Sequence, residues 1–169
     1  MLRNSFQVAF LSRFQKVFHL CLIATMMAIQ GCLQQPTTIQ NMKEDIAALG
    51  ALIKLEPTPK SAKWEHLTIN PHFGEQAIVA LLHYDEKGRK RMEAQMVPLD
   101  YELSNVPDSV LRPWFPADLR AQFEALPSQK GGYRLAAPGY EVSPFIHGAY
   151  QHGFCSWVGD KLLLHIYSI

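Results

Sequence analysis

Gly153-Phe154-Cys155-Ser156-Trp157-Val158-Gly159-Asp160-Lys161-Leu162-Leu163-Leu164-His165-Ile166-Tyr167 is the stretch from which the fold is read. Two runs, Gly153 to Val158 and Lys161 to Tyr167, flank Gly159-Asp160. A two-residue loop of this kind closes β-hairpins, because glycine supplies a positive φ angle at little steric cost. A C-terminal hairpin is therefore predicted. Side chains alternate across a strand, so Leu162, Leu164 and Ile166 share one face of the second run. Leu163, His165 and Tyr167 share the other.

Working upstream, Ala77-Ile78-Val79-Ala80-Leu81-Leu82 is short, continuously apolar and β-branched, which suits a central strand. Trp64 to Ile69 alternates like a half-buried strand, and Asn70-Pro71-His72-Phe73-Gly74 turns the chain between the two. Leu99 to Leu103 also alternates, which would place Asp100 and Glu102 on one strand face. Gly131-Gly132 leads into a further strand from Tyr133 to Ala136, and Pro138-Gly139 signals another turn.

Three helices are predicted between these strands. The first is capped by Asn41, carries Ile46, Leu49, Leu52 and Ile53 inward, and stops at Pro57. Lys54 to Lys63, with two prolines, reads as an extended linker. The second runs from Asp85 to about Val97, with Met92 and Met96 inward and Pro98 as its stop. The third opens at Pro116-Ala117-Asp118 and buries Leu119, Phe123 and Leu126 before Pro127. The order of elements predicts one small α+β domain over residues 42–169, a mainly antiparallel sheet with about three helices on one face and the C-terminal hairpin.

The start of the chain has a different character. Arg3, Arg13 and Lys16 are followed by Val17 to Ile29, 13 residues without a formal charge, and then by Gly31-Cys32. A basic start, a short apolar run and a small residue are the layout of a secretory signal peptide. At 1.5 Å per residue the run is too short to span a ~30 Å hydrocarbon core. Ile29-Gln30-Gly31-Cys32 resembles the lipobox of bacterial lipoproteins, with an aliphatic residue three before the cysteine and glycine just before it. The resemblance covers residues 1–32. It implies a signal peptide over 1–31, cleavage between Gly31 and Cys32, a diacylglyceryl thioether on Cys32 and acylation of the new amino terminus. Residues 32–41 then form the lipidated cysteine and a polar, uncharged tether. By analogy with lipoprotein sorting, Leu33 after the cysteine favours the outer membrane, facing the periplasm.

The mature chain carries 13 basic and 15 acidic residues, a balance that gives no electrostatic reason for a nucleic-acid partner. With Cys21 removed and Cys32 lipidated, Cys155 has no disulfide partner and is expected to be buried. Lys87, Arg89, Lys90 and Arg91 form the most basic local patch, read as the solvated face of the second helix.

Chemistry-bearing motifs are sparse. The chain holds no Gly-rich phosphate loop, Cys-x-x-Cys pair, His-Glu-x-x-His helix or Gly-x-Ser-x-Gly elbow. His147 and His152 with Cys155 offer ligand types for zinc, but a spacing of five sets the two histidines on opposite faces of a strand. Trp114 and Phe115, held between prolines, are candidate aromatic anchors or a lid on the core, and Trp157 is a further candidate binding residue. These features lead to an expectation of a membrane-anchored envelope lipoprotein acting as a binding or accessory module, with no cofactor and no metal. Its partner is an envelope protein or a small ligand. The alternative is an envelope hydrolase or metalloenzyme using His147, His152 or Cys155.

Overall fold

In the computed structural model, which describes residues 42–127 and 131–169, the run Ala77 to Leu82 lies at the centre of the fold. It belongs to strand β2. Helix α1 (Ile46–Gly50) and strand β1 (Ser61–Asn70) precede β2 (Glu75–His83), and helix α2 (Glu86–Glu93) follows it. Then come β3 (Ser104–Pro107), α3 (Ala117–Arg120), β4 (Phe123–Ala125), β5 (Gly132–Leu135), and the hairpin of β6 (His152–Val158) and β7 (Lys161–Tyr167). The signal peptide, Cys32, the tether and Asn41 lie outside the described residues. Among the described residues no helix is long and apolar enough to cross a membrane.

The strands form two antiparallel sheets, one in the order β1-β2-β7-β6 and one in the order β3-β5-β4. The α+β class read from the sequence stands, with the sheet divided in two. β2 is continuously apolar because both of its faces are covered. Ile78, Ala80 and Leu82 join Leu162, Leu164 and Ile166 on one face, under Leu49, Ile53, Met92 and Phe145. Val79, Leu81 and Leu163 point the other way, against Val106, Val110, Phe115, Leu119, Phe123 and Leu135. Helices α1 and α2 thus cover one face of the large sheet. The small sheet and α3 cover the other, giving three layers.

The hairpin forms as read, with Val158 paired to Lys161 across Gly159-Asp160 and Gly159 at φ 62°. Arg89 donates to the Gly159 carbonyl at 3.1 Å and lies 4.4 Å over the Trp157 ring. One residue of the basic patch therefore closes the hairpin end against α2. Asp85 caps α2 by accepting from the Gly88 amide at 2.7 Å, and Met92 is fully buried beneath it.

Several boundaries differ from the sequence reading. Helix α1 begins at an Asp45 cap, whose Oδ1 accepts from Ala47 and Ala48, and it ends at Gly50 instead of Pro57. The chain leaves the helix so that Ile53 enters the core and the Lys54 amide reaches the Phe145 carbonyl at 3.1 Å. Helix α2 ends at Glu93, short of Val97, because Val97 and Pro98 pair with the segment around Tyr140. The supposed linker already contains Ser61 to Lys63 of β1.

Leu99 to Leu103 is not a strand. The Leu99 amide bonds to the Gly139 carbonyl and the Ser104 amide to the Glu102 carbonyl, so contact with β5 starts only where the Leu103 carbonyl accepts from the Leu135 amide, and Asp100 and Glu102 stay exposed. The helix expected from Pro116 to Leu126 stops at Arg120. Phe123 to Ala125 pair with β5, so Leu119 and Phe123 reach the same core from a helix and a strand.

Candidate functional site

The residues singled out from the sequence do not converge. On β6, His152 and Phe154 project to the small-sheet side, while Cys155 packs on the opposite face with the α1 and α2 core. Burial pushes the Cys155 thiol up to about 12, and its Sγ donates to the Glu141 carbonyl at 3.4 Å. Such a thiol is no nucleophile. His147 and His152 are exposed, and among the described residues no group of three or more His, Cys, Asp or Glu is placed to hold a metal.

The aromatic candidates serve the protein's own packing. Phe115 is buried in the second core, with Trp114 edge-on to it at 4.7 Å. The Trp114 indole donates to Glu65 Oε2 at 3.0 Å. Trp157 lies edge-on to Tyr84 at 6.1 Å and beneath Arg89. Of the candidate binding residues, Phe115 is buried, Trp114 and Trp157 are half-buried against the two cores, and His147 and His152 are exposed.

A different site lies where the small sheet stops short of the end of the large one. There the inner face of β6 and β7 forms the floor of a groove of about 590 Å³. Cross-strand partners Phe154 and His165 have ring centroids 5.5 Å apart. His165 and Tyr167, two apart on β7, are 5.4 Å apart with planes tilted by 32°. His152, across from Tyr167 at 5.7 Å, extends the ring patch beyond the groove.

This floor depends on a close approach of two backbones. Gly153 has φ 138°, and a Cβ there would stand 2.0 Å from the His165 carbonyl oxygen. Only glycine fits.

One wall is strand β3, where the pairing slips between Ser104 and Val106 and Asn105 takes φ 77°. Asparagine tolerates that left-handed conformation better than most residues. The rim includes Ile69, Tyr101 and Ile169, which are 43%, 60% and 82% exposed. Among the described residues Glu75 is the one charged side chain on the lining.

His165 is the unusual member. It is 5% exposed, and its Nε2 has no hydrogen-bond partner among the described residues. Burial pushes its pKa down to about 4, so the ring is neutral at neutral pH. A buried, unpaired polar nitrogen costs roughly 1–3 kcal/mol, and among the described residues Tyr84 Oη and Trp157 Nε1, away from this groove, are left in the same position.

The wall is fixed from the opposite side. Arg112 joins Glu65 of β1 and also donates to the Ser109 carbonyl at 3.4 Å, and Ser109 lines the groove. On the other face of the large sheet, His66, Tyr150 and Gln76 form a chain of 2.7 and 3.2 Å contacts that ties the turn at Tyr150 to β1 and β2. A second groove of about 580 Å³ runs beside Asp100 and Glu102, but its one guanidinium, Arg134, is engaged by Glu124.

No protein-family model, curated protein or solved structure matches this chain. The ring-floored groove therefore has to be read on its own chemistry. Its clue in the sequence was His165 in an otherwise apolar strand. Alternation along the same strand already set Tyr167 beside His165, whereas Glu75 and Asn105 come from segments too far apart for any local pattern to join.

Proposed function

We propose that this is a lipid-anchored protein of the bacterial envelope, tethered through Cys32 to the outer membrane on its periplasmic side. It acts as a non-enzymatic binding module, and the groove over β6 and β7 receives a small ligand that packs against its aromatic rings. The observation that carries the binding reading is the buried, unpaired His165 set among the Phe154 and Tyr167 rings. Concave surfaces that combine apolar walls with a few polar groups are the usual form of ligand sites. The anchor rests on the Ile29-Gln30-Gly31-Cys32 pattern.

A ligand-observed NMR screen of small molecules, cyclic and acyclic, against the full chain in detergent micelles tests the reading. Binders are expected whose signals depend on Tyr167 and vanish with Tyr167→Leu, while circular dichroism shows that variant folded. A screen without binders, or with binders indifferent to Tyr167→Leu, overturns it.

A further inference from the structure

The charges around the groove are one-sided. Glu75 lines it, and among the described residues no lysine or arginine does. Glu75 is in no ion pair among the described residues, so its charge is not neutralised by a neighbouring described side chain. The register places Ala77 opposite Tyr167, so Glu75, two residues earlier on β2, lies on the same sheet face as the Tyr167 ring. Diagonal neighbours of this kind are about 7–8 Å apart at their backbones, within reach of a glutamate and a tyrosine across one bound group.

Ring faces carry negative electrostatic potential and attract cations, the attraction growing where water is excluded. A carboxylate beside them adds in the same sense. An anionic ligand would meet Glu75 with no basic side chain among the described lining residues to offset it. Resting on the reading of this groove as a ligand site, we infer that it selects a small organic cation, a quaternary or protonated amine held between the Phe154–Tyr167 ring floor and the Glu75 carboxylate. His165 then contributes an uncharged surface and a nitrogen able to pair with a hydroxyl or amide on the ligand. A protonated imidazole in that position would repel the ligand.

The test is titration calorimetry on the full chain in detergent micelles, with choline as the probe. Its neutral isostere, in which carbon replaces nitrogen, and phosphocholine are the comparison ligands. Choline is expected to bind at least about tenfold more tightly than the isostere, and Glu75→Gln to remove most of that difference. Phosphocholine, which joins the same ammonium group to a phosphate as some lipid headgroups do, is expected to bind about fivefold more weakly than choline, having no basic partner in the groove.

Equal binding of choline and the isostere overturns the inference and leaves the groove as a neutral ligand site. Tighter binding of phosphocholine also overturns it, because it would require a cationic subsite. If neither choline nor the isostere binds, the inference fails, and the small-molecule screen decides separately whether the groove binds anything.

Discussion

The Glu65 carboxylate and the Arg112 guanidinium meet in two parallel hydrogen bonds, Nε to Oε2 at 2.7 Å and Nη2 to Oε1 at 2.8 Å. The Trp114 indole adds a third donor at 3.0 Å. The pair joins edge strand β1 to the segment between β3 and α3, and so fastens the second layer over the first. Glu65 is almost wholly buried, while Arg112 keeps part of its side chain in water. Breaking a buried pair strands one charge, whereas replacing both partners with apolar groups does not. Arg112→Ala is expected to cost about 3 kcal/mol, at the lower end for buried pairs because of the partial exposure. The double change Glu65→Leu with Arg112→Leu recovers most of that loss. Urea unfolding midpoints of the two variants check the difference.

Gly153 makes the second prediction. A methyl group there would lie far inside the contact distance of the His165 carbonyl oxygen, a backbone atom that cannot rotate away, and its φ of 138° is one that other residues rarely adopt. Gly153→Ala is expected to destabilise the domain by about 3 kcal/mol or more, through the clash and the backbone strain together. Gly159→Ala, in open space at the hairpin tip with φ 62°, pays only the strain and is expected to cost about 1–2 kcal/mol. Thermal unfolding of both variants gives the ranking.

His165 sets a pH dependence. Its folded value, pushed down from 6.5 to about 4 by burial, lies below the unfolded one. Between those values the unfolded chain binds more protons than the folded chain, so stability rises with pH across this window. The contribution is complete above about pH 6.5, is lost as pH falls towards 4, and changes no further below that. The gap corresponds to roughly 3 kcal/mol. Glu75 is the charged side chain that shares the groove with His165. His165→Leu is expected to flatten the stability profile between pH 4 and 6.5, as measured by urea unfolding at a series of pH values.

What could be read in the sequence was local. Gly159-Asp160 between two strand-forming runs needs only adjacent residues to specify a hairpin, and the Asp85 cap likewise acts within one helical turn. Leu119 and Phe123, four apart, fit a helical stripe equally well, and only the pairing of Phe123 with Leu135 of β5 decides against it. Strands as short as β3 and β4 show no period of their own. The division into two sheets therefore depends on long-range pairing that spacing cannot reveal. The groove is legible only in part for the same reason, since Glu75, Asn105, Phe154 and His165 come from four separate segments. What spacing did show was that Leu163, His165 and Tyr167 share a strand face, now the groove side of β7.

Cys155 is fully buried, and its thiol is pushed up to about 12 by that burial. The thiolate, which is the reactive form, is then scarce at neutral pH, and reagents have no access to the sulfur. In a chain carrying Cys21→Ser and Cys32→Ser, no thiol is expected to react with an aromatic disulfide reagent in native buffer. One equivalent reacts after unfolding in urea. Rapid native reaction would show that the β6 edge opens locally on the timescale of the assay.

Cys32 carries the last prediction. One acyl chain gives only marginal membrane binding, while several together hold a protein in place, at about 0.8 kcal/mol per buried methylene. If the Ile29-Gln30-Gly31-Cys32 pattern works as proposed, Cys32→Ser removes both the thioether and the processing that depends on it. The variant is expected to take up no labelled palmitate and to accumulate at precursor length, while the wild-type chain is labelled, shortened and recovered with membranes. A Cys32→Ser chain that still matures to the wild-type length and leaves the membrane fraction unchanged would mean conventional secretion. The groove would then belong to a protein without a lipid tether.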